Sequence, residues 1–342
     1  ILLLIFNLCI YKCDMNNFTY QNPTQILFGK GQIENLKNLI PHNQKVLITY
    51  GGGSIKQNGV YEQTIQALAN HQVFEFAGIE PNPTFETLMK AVVLVKKEKI
   101  DFILAVGGGS VIDGTKFISL ASCFEGENAW DLMKSTTPLN RAIPFGTILT
   151  LPATGSEMNC GFVITKKETS TKISRMTPVT FPVFSILDPE TTYSMPIKQI
   201  SNGIVDAYVH VVEQYLTYPN SSPIQDRFSE SILQTLIEVG PKALQNPKDY
   251  ETRASLMWSC TMALNGLIGV GVPQDWSTHM IGHELTALYH LDHAQTLAIV
   301  LPGNLFIMLE DKKEKLLQYA ERVWNITEGS DREKCLQAIE AT

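Results

Sequence analysis

From Met15 onward, short apolar runs alternate with longer amphipathic ones. QILFGKGQIENLKNLI reads as a strand, a turn at Gly29 and Gly31, and a helix. Val46 to Tyr50 (VLITY) is a compact apolar run of the kind buried on both faces of a parallel sheet, and Gly51, Gly52, Gly53 and Ser54 follow it. A helical pattern then runs from about Val60 to Asn70. The unit recurs: VFEFAGI predicts a strand, Glu80-Pro81-Asn82-Pro83 a rigid loop and TLMKAVVLVKKEKI a helix. Phe102 to Val106 (FILAV) leads into Gly107, Gly108, Gly109 and Ser110, then a helix through Asp113 and Lys116. A third strand edge, Thr147 to Leu151, runs into Pro152-Ala153-Thr154-Gly155-Ser156-Glu157. FVITKKETSTKISR reads as a hairpin and VFSILDP as a last strand ending at Pro189. After Met195-Pro196 helical patterns dominate, among them IVDAYVHVVEQYL and WSTHMIGHELTALYH. The pattern predicts an α/β domain with a Rossmann-like parallel sheet over residues 15–195 and an all-helical domain over 196–342. No low-complexity linker separates them, which implies a large fixed interface.

Glycine turns between strand and helix let backbone N–H groups approach a phosphate, with the helix N-terminus adding a favourable field. Two such turns point to a dinucleotide. Neither is the G-x-G-x-x-G fingerprint, since the sixth positions are Lys56 and Ile112, and neither is a P-loop. The Val46 to Tyr50 strand ends without an acid to meet an adenosine ribose 2′-OH and has Lys56 nearby, which favours NADPH over NADH.

The helical half carries the other chemistry. Four of the seven histidines (His279, His283, His290 and His293) fall between Trp276 and His293. If the segments are helical, Asp206 and His210 share a face at i, i+4, and so do His279 and His283. An aspartate with several imidazoles is a ligand set for zinc or ferrous iron. A histidine alone is ordinarily a hydrogen-bonded core or surface residue, and nothing ties His290 to the others. His283-Glu284 opens an H-E-x-x-H pattern, but Ala287 stands where its second His belongs, so the metalloprotease reading fails. Glu213 and Glu284, beside these residues in sequence, are expected to be exposed helix-face carboxylates rather than hydrogen-bond acceptors behind a metal.

At 342 residues with 44% hydrophobic composition the chain can fill two cores. A net charge of -7 without a basic run argues against nucleic-acid or anionic-membrane surfaces and suits small-molecule chemistry. Six scattered cysteines with no C-x-x-C pair imply reduced thiols and a cytoplasmic setting. The head, ILLLIFNLCIYKCD (1–14), lacks the flanks of a signal peptide and the length of a membrane span, and is expected to be an extension or artefact outside the folded body. DREKCLQAIEAT ends in a helical pattern, which suggests a helical domain truncated at its C-terminus.

GGGSVIDGTK, TLPATGSE, DAYVH and THMIGHELTALYHLDH, in this order, resemble the iron-containing alcohol dehydrogenases, nearest the NADPH-dependent aldehyde reductase and butanol dehydrogenase branch. The likeness runs from Phe18 to the end of the chain. It implies a dehydroquinate synthase-like fold, a homodimer, NADP(H), one divalent Fe2+ or Zn2+ ion, and reversible reduction of aldehydes to primary alcohols. The metal ligands it implies are Asp206, His210, His279 and His293, with His283 as the catalytic histidine beside the nicotinamide. The dinucleotide contacts it implies are Gly52, Gly53, Ser54, Asn82, Gly109, Ser110, Asp113, Thr150, Thr154, Asn159 and Lys172. Alternatives are a glycerol dehydrogenase or dehydroquinate synthase relative, a metal-dependent hydrolase whose glycine loops are only turns, or an inactive remnant that binds partners.

Overall fold

The structure, a computed structural model, describes residues 14–134, 139–289 and 291–342. Residues 1–13, with Cys9 and Cys13, and the side chain and conformation of His290 lie outside the described residues, and so does most of the predicted apolar head.

The first half is a parallel sheet with helices on both sides. In chain order its elements are β1 (Gln25–Phe28), α1 (Leu36–Leu39), β2 (Lys45–Thr49), α2 (Val60–Ala67), β3 (Gln72–Phe76), α3 (Phe85–Glu98), β4 (Phe102–Gly108), α4 (Gly109–Ser122) and β5 (Phe145–Leu151). An antiparallel hairpin, β6 (Gly161–Lys166) and β7 (Thr171–Met176), precedes β8 (Phe184–Leu187). The six parallel strands lie in the order β1-β8-β5-β4-β2-β3. Successive residues of a strand point to opposite faces, so continuous apolar runs serve two cores. Leu47, Ile103 and Ala105 join Ile112, Phe117 and Leu149 on one side, while Val46, Ile48, Leu104 and Val106 join Ile148 and Ile186 on the other. That double burial is why the strands lack the apolar–polar alternation of a half-exposed sheet.

The order places β2 beside β4. Both glycine turns therefore emerge at the carboxyl ends of adjacent strands, where open parallel sheets gather ligands.

The second half is helical: α5 (Ile197–Tyr215), α6 (Pro223–Gln245), α7 (Tyr250–Ala263), α8 (Ser277–Tyr289), α9 (His293–Ile307), α10 (Lys313–Trp324) and α11 (Asp331–Ala341). Its own core gathers Val209, Val212 and Tyr215 of α5 with Leu236, Leu297, Leu301 and Tyr319. Met257 of α7 instead enters the core beside Leu187, and the buried Arg253 donates to the Thr192 carbonyl and hydroxyl at 2.9 Å each, tying the halves together. None of the described helices is long and apolar enough to cross a membrane.

Candidate active site

Helix α5 presents Asp206, His210 and Glu213 along one stripe, and all three are buried. Helix α8 brings His279 and His283, one turn apart, against that stripe. His293 belongs to the next helix. Asp292 stops the chain between them by capping α9, its side chain accepting from the Gln295 backbone while the Gln295 side chain accepts from the Asp292 N–H. Lys198 of α5 holds Asp292 at 2.6 Å, which fixes where α9, and so His293, begins.

The result is one carboxylate oxygen ringed by three imidazoles. Asp206 Oδ1 lies 3.4 Å from His210 Nε2, 3.7 Å from His279 Nε2 and 3.6 Å from His293 Nε2. Asp206, His279 and His293 offer ligand atoms all within 4.8 Å of one another, and His210 joins them through the shared carboxylate and by stacking on His279 at 4.7 Å between ring centroids. Asp206 Oδ1 and His279 Nε2 are buried with no hydrogen-bond partner. Converging buried lone pairs without donors are costly unless a cation sits among them, so these residues fit a divalent ion. The His293 side chain is 26% exposed, against 5% for Asp206 and 7% for His279, so the cluster is accessible from its side. Burial alone would raise Asp206, but His210, His279 and His293 hold its carboxyl well below the usual range.

Glu213 corrects the sequence reading. It is 3% exposed, and its Oε1 accepts from the Thr278 N–H at 2.7 Å and the His279 N–H at 3.2 Å, capping α8. Its Oε2 pairs with His279 Nδ1, which leaves Nε2 to face Asp206. Helices shield a face, and the i, i+4, i+7 spacing of Asp206, His210 and Glu213 is the sequence signal that places this carboxylate inside. Burial opposes protonation of His279, but in the metal-free protein Asp206 and Glu213 push its pKa up to about 9, so a divalent ion would take the place of a proton on Nε2. Glu284 is exposed, as its sequence setting implies. Trp276, not singled out by sequence, meets the His279 and His210 rings edge-on at 5.4 and 6.2 Å.

His283 is buried, its ring centroid 5.3 Å from that of His293. Burial, then the charge of Lys172, pushes its pKa down to about 3, so the imidazole is neutral at physiological pH. Lys172, on β7, links this cluster to the sheet. Its ammonium donates to Asn82 Oδ1 at 2.9 Å, and burial lowers its pKa to about 8 despite the pull of Asp206 and Asp113.

At the strand ends, Gly52 and Gly53 have nothing within 4 Å of where a Cβ would stand, and Gly53 has φ +93°. Ser54 beside them is exposed. At Gly109 a Cβ would lie 2.5 Å from the Thr154 side chain, so the α4 N-terminus packs directly on the loop after β5. No side chain caps α4, leaving its first turn, with Ser110, free of a competing side-chain acceptor. These features fit a coenzyme diphosphate. Thr150 lies half-buried at the end of β5.

Asp113 and Asn159 turn inward instead. The Asp113 carboxylate accepts from Ser156 Oγ at 2.6 Å and from the Val163 N–H at 3.0 Å. Asn159 Oδ1 accepts from Lys116 Nζ at 3.0 Å and the Gly161 N–H at 2.9 Å, while its Nδ2 donates to the Leu264 carbonyl at 3.1 Å. Both shape the loops that line the cleft.

The acid missed at the end of β2 stands on the neighbouring strand: Glu75 of β3 accepts from Lys56 at 2.7 Å.

The chain matches the family model for iron-containing alcohol dehydrogenase over residues 23–189. It matches that for the Fe-containing alcohol dehydrogenase family, C-terminal, over residues 200–342. It is 58% identical to the NADPH-dependent aldehyde reductase YqhD of Escherichia coli over 96% of this chain and 85% of that protein. It is 45% identical to the probable NADH-dependent butanol dehydrogenase 1 of Bacillus subtilis, over 95% of this chain and 85% of that one. The crystal structure of E. coli YqhD superposes with a TM-score of 0.95 at 57% identity, covering 96% of this chain and 85% of that chain. That of NADH-dependent butanol dehydrogenase A from Thermotoga maritima superposes with a TM-score of 0.92 at 37% identity, covering 96% and 83%.

Proposed function

Because the chain belongs to the iron-containing alcohol dehydrogenase family, we propose that it reduces small aldehydes to primary alcohols with NADPH, reversibly, at a site where Asp206, His210, His279 and His293 hold one Fe2+ or Zn2+ ion. The observation that carries this reading is the partnerless, buried Asp206 Oδ1 amid three imidazole nitrogens, beside Lys172 and the coenzyme cleft. When bound, such an ion polarises a carbonyl oxygen as a Lewis acid, and reduced nicotinamide supplies hydride.

This chain's own residues supply the rest. Glu213 fixes the tautomer and orientation of His279, since a carboxylate on Nδ1 demands a proton there and frees Nε2. His283, neutral and buried, is suited to pass a proton to the product oxygen by giving up one ring N–H as the other nitrogen takes a proton from water. Lys172 and Asn82, near the metal cluster, would hold the nicotinamide end of the coenzyme, and the turns at Gly52, Gly53, Ser54, Gly109 and Ser110 would hold the diphosphate, with Thr150 and Thr154 on the adjoining loop. Trp276 gives the site an apolar wall. We further read the protein as a cytoplasmic homodimer. Cys123, Cys160, Cys260 and Cys335 are free, and Phe28 on edge strand β1 meets Trp258 edge-to-face with both side chains exposed.

The test is NADPH oxidation with short and medium aldehydes by metal-stripped protein after Fe2+ or Zn2+ is restored. Turnover should return only with metal. His279→Ala should lose both metal and turnover, by about a thousandfold or more, whereas His283→Ala should keep the metal and lose rate. Retention of both metal and turnover by His279→Ala would overturn the ligand set.

A further inference from the structure

Beside the first glycine turn, one carboxylate gathers three donors from three elements. Glu75 of β3 accepts from Tyr50 Oη at 2.7 Å and Lys56 Nζ at 2.7 Å on Oε2, and from Tyr61 Oη at 2.5 Å on Oε1. Lys56 Nζ also lies over the ring of Tyr61 at 4.4 Å and of Tyr50 at 5.2 Å. An ammonium held by an anion and two aromatic faces is fixed in place, unlike a solvated surface lysine. It is still within reach of a ligand, because the Lys56 side chain is 43% exposed and that of Glu75 34%.

The sheet order explains what this ammonium faces. The α4 N-terminus follows β4, with β2 and then β3 as the next strands outward. A dinucleotide with its diphosphate over α4 would extend its adenosine across Gly51–Ser54 toward β3. Glu75 also stands roughly 20 residues past the glycine turn, the spacing at which such folds place the acid that reads an adenosine ribose. Here that acid is occupied by Lys56 and two phenols.

We propose that Glu75 and Lys56 together set the coenzyme preference: Lys56 is the cation for the 2′-phosphate, and Glu75 is its built-in competitor, moderating how strongly NADPH is favoured over NADH. The proposal rests on the dehydrogenase reading and names the residues that tune it. A lysine ammonium has three donors, of which Glu75 takes one, so Lys56 can meet a phosphate without leaving its aromatic seat. Glu75 would repel that phosphate while neutralising its partner. Removing either charge therefore moves the preference in opposite directions.

The probes are adenosine 2′,5′-bisphosphate and AMP, which differ only by the 2′-phosphate, titrated calorimetrically into the full chain. Lys56→Met should weaken the bisphosphate about tenfold with AMP unchanged. Glu75→Gln, which keeps the shape and can still accept from the tyrosines, should tighten the bisphosphate several-fold relative to AMP. Lys56→Gln, which retains a donor for Glu75, repeats the first arm should the methionine disturb the turn. An affinity ratio unmoved by loss of Lys56, or lowered by Glu75→Gln, overturns the proposal while leaving the dehydrogenase reading intact. A wild-type chain that binds neither nucleotide overturns the coenzyme reading itself.

Discussion

Two buried polar clusters lie on either side of the cleft, and they are built on opposite principles. On the sheet side, Lys116 is fully buried and donates to Ser156 Oγ at 2.7 Å, Asn159 Oδ1 at 3.0 Å and the Gly161 carbonyl at 2.7 Å, while Ser156 in turn donates to Asp113. Donors meet acceptors within the network, and nothing further is needed. On the helical side, Asp206, His279 and His293 point at one another with Asp206 Oδ1 and His279 Nε2 left without partners. A closed network gives the loops one shape, whereas an open one has its remaining interaction reserved for something added. The contrast separates residues that hold the cleft together from residues that hold what enters it.

Breaking the closed network should show first as lost stability. Lys116→Met leaves the Asp113 carboxylate without its nearby cation and strips Asn159 and Ser156 of a donor, so urea unfolding should register a loss of about 3–5 kcal/mol, with the metal content of the folded fraction unchanged. If that variant lost metal without losing stability, the two clusters would not be separable as described. Glu213→Gln probes the support behind the open cluster. It replaces the acceptor that holds the His279 tautomer, and a chelator competition should find metal affinity lower by about 10- to 100-fold. An affinity within twofold of wild type would reduce Glu213 to a helix cap.

Lys172 bridges the two clusters, and its effect on stability is smaller and depends on pH. Its folded pKa of about 8 lies below the ordinary 10.5, so the unfolded chain holds more protons between those values and stability rises with pH across that window. Below about pH 8 the wild type carries the full cost of burying the charge. Lys172→Met should therefore stabilise the coenzyme-free protein at pH 7 by about 1–2 kcal/mol, after allowing for the lost bond to Asn82, with the gain gone by pH 10.5. Thermal unfolding at pH 7 and pH 10.5 checks this. A gain independent of pH would remove the buried charge as its cause.

The fold class was legible because parallel strands buried on both faces leave unbroken apolar runs, as in Val46 to Ile48 and Phe102 to Val106, and each of these two runs leads into a glycine turn. The pairing of Asp206 with His210, and of His279 with His283, follows from helical spacing alone. Three features lay deeper. Glu213 shares the Asp206 stripe, but whether that stripe is covered depends on α8, which lies far along the chain. Glu75 escaped notice because the acid sits on β3, not on the glycine-bearing strand, and only the sheet order makes the two strands neighbours. The inward turn of Asp113 and Asn159 depends on Lys116, whose burial no local pattern announces: an amphipathic reading of α4 treats a lysine as solvated.

The most direct test of the open cluster is a divalent-metal titration of metal-stripped protein, wild type against His293→Ala, following heat of binding and thermal unfolding together. His293 is the accessible member, and its Nδ1 has no partner, so its removal should leave the metal-free melting temperature nearly unchanged. The account predicts one ion bound per wild-type chain with a rise in melting temperature, and binding weakened by about a hundredfold or more in the variant. Equal binding by both proteins, or no binding by wild type, would contradict it.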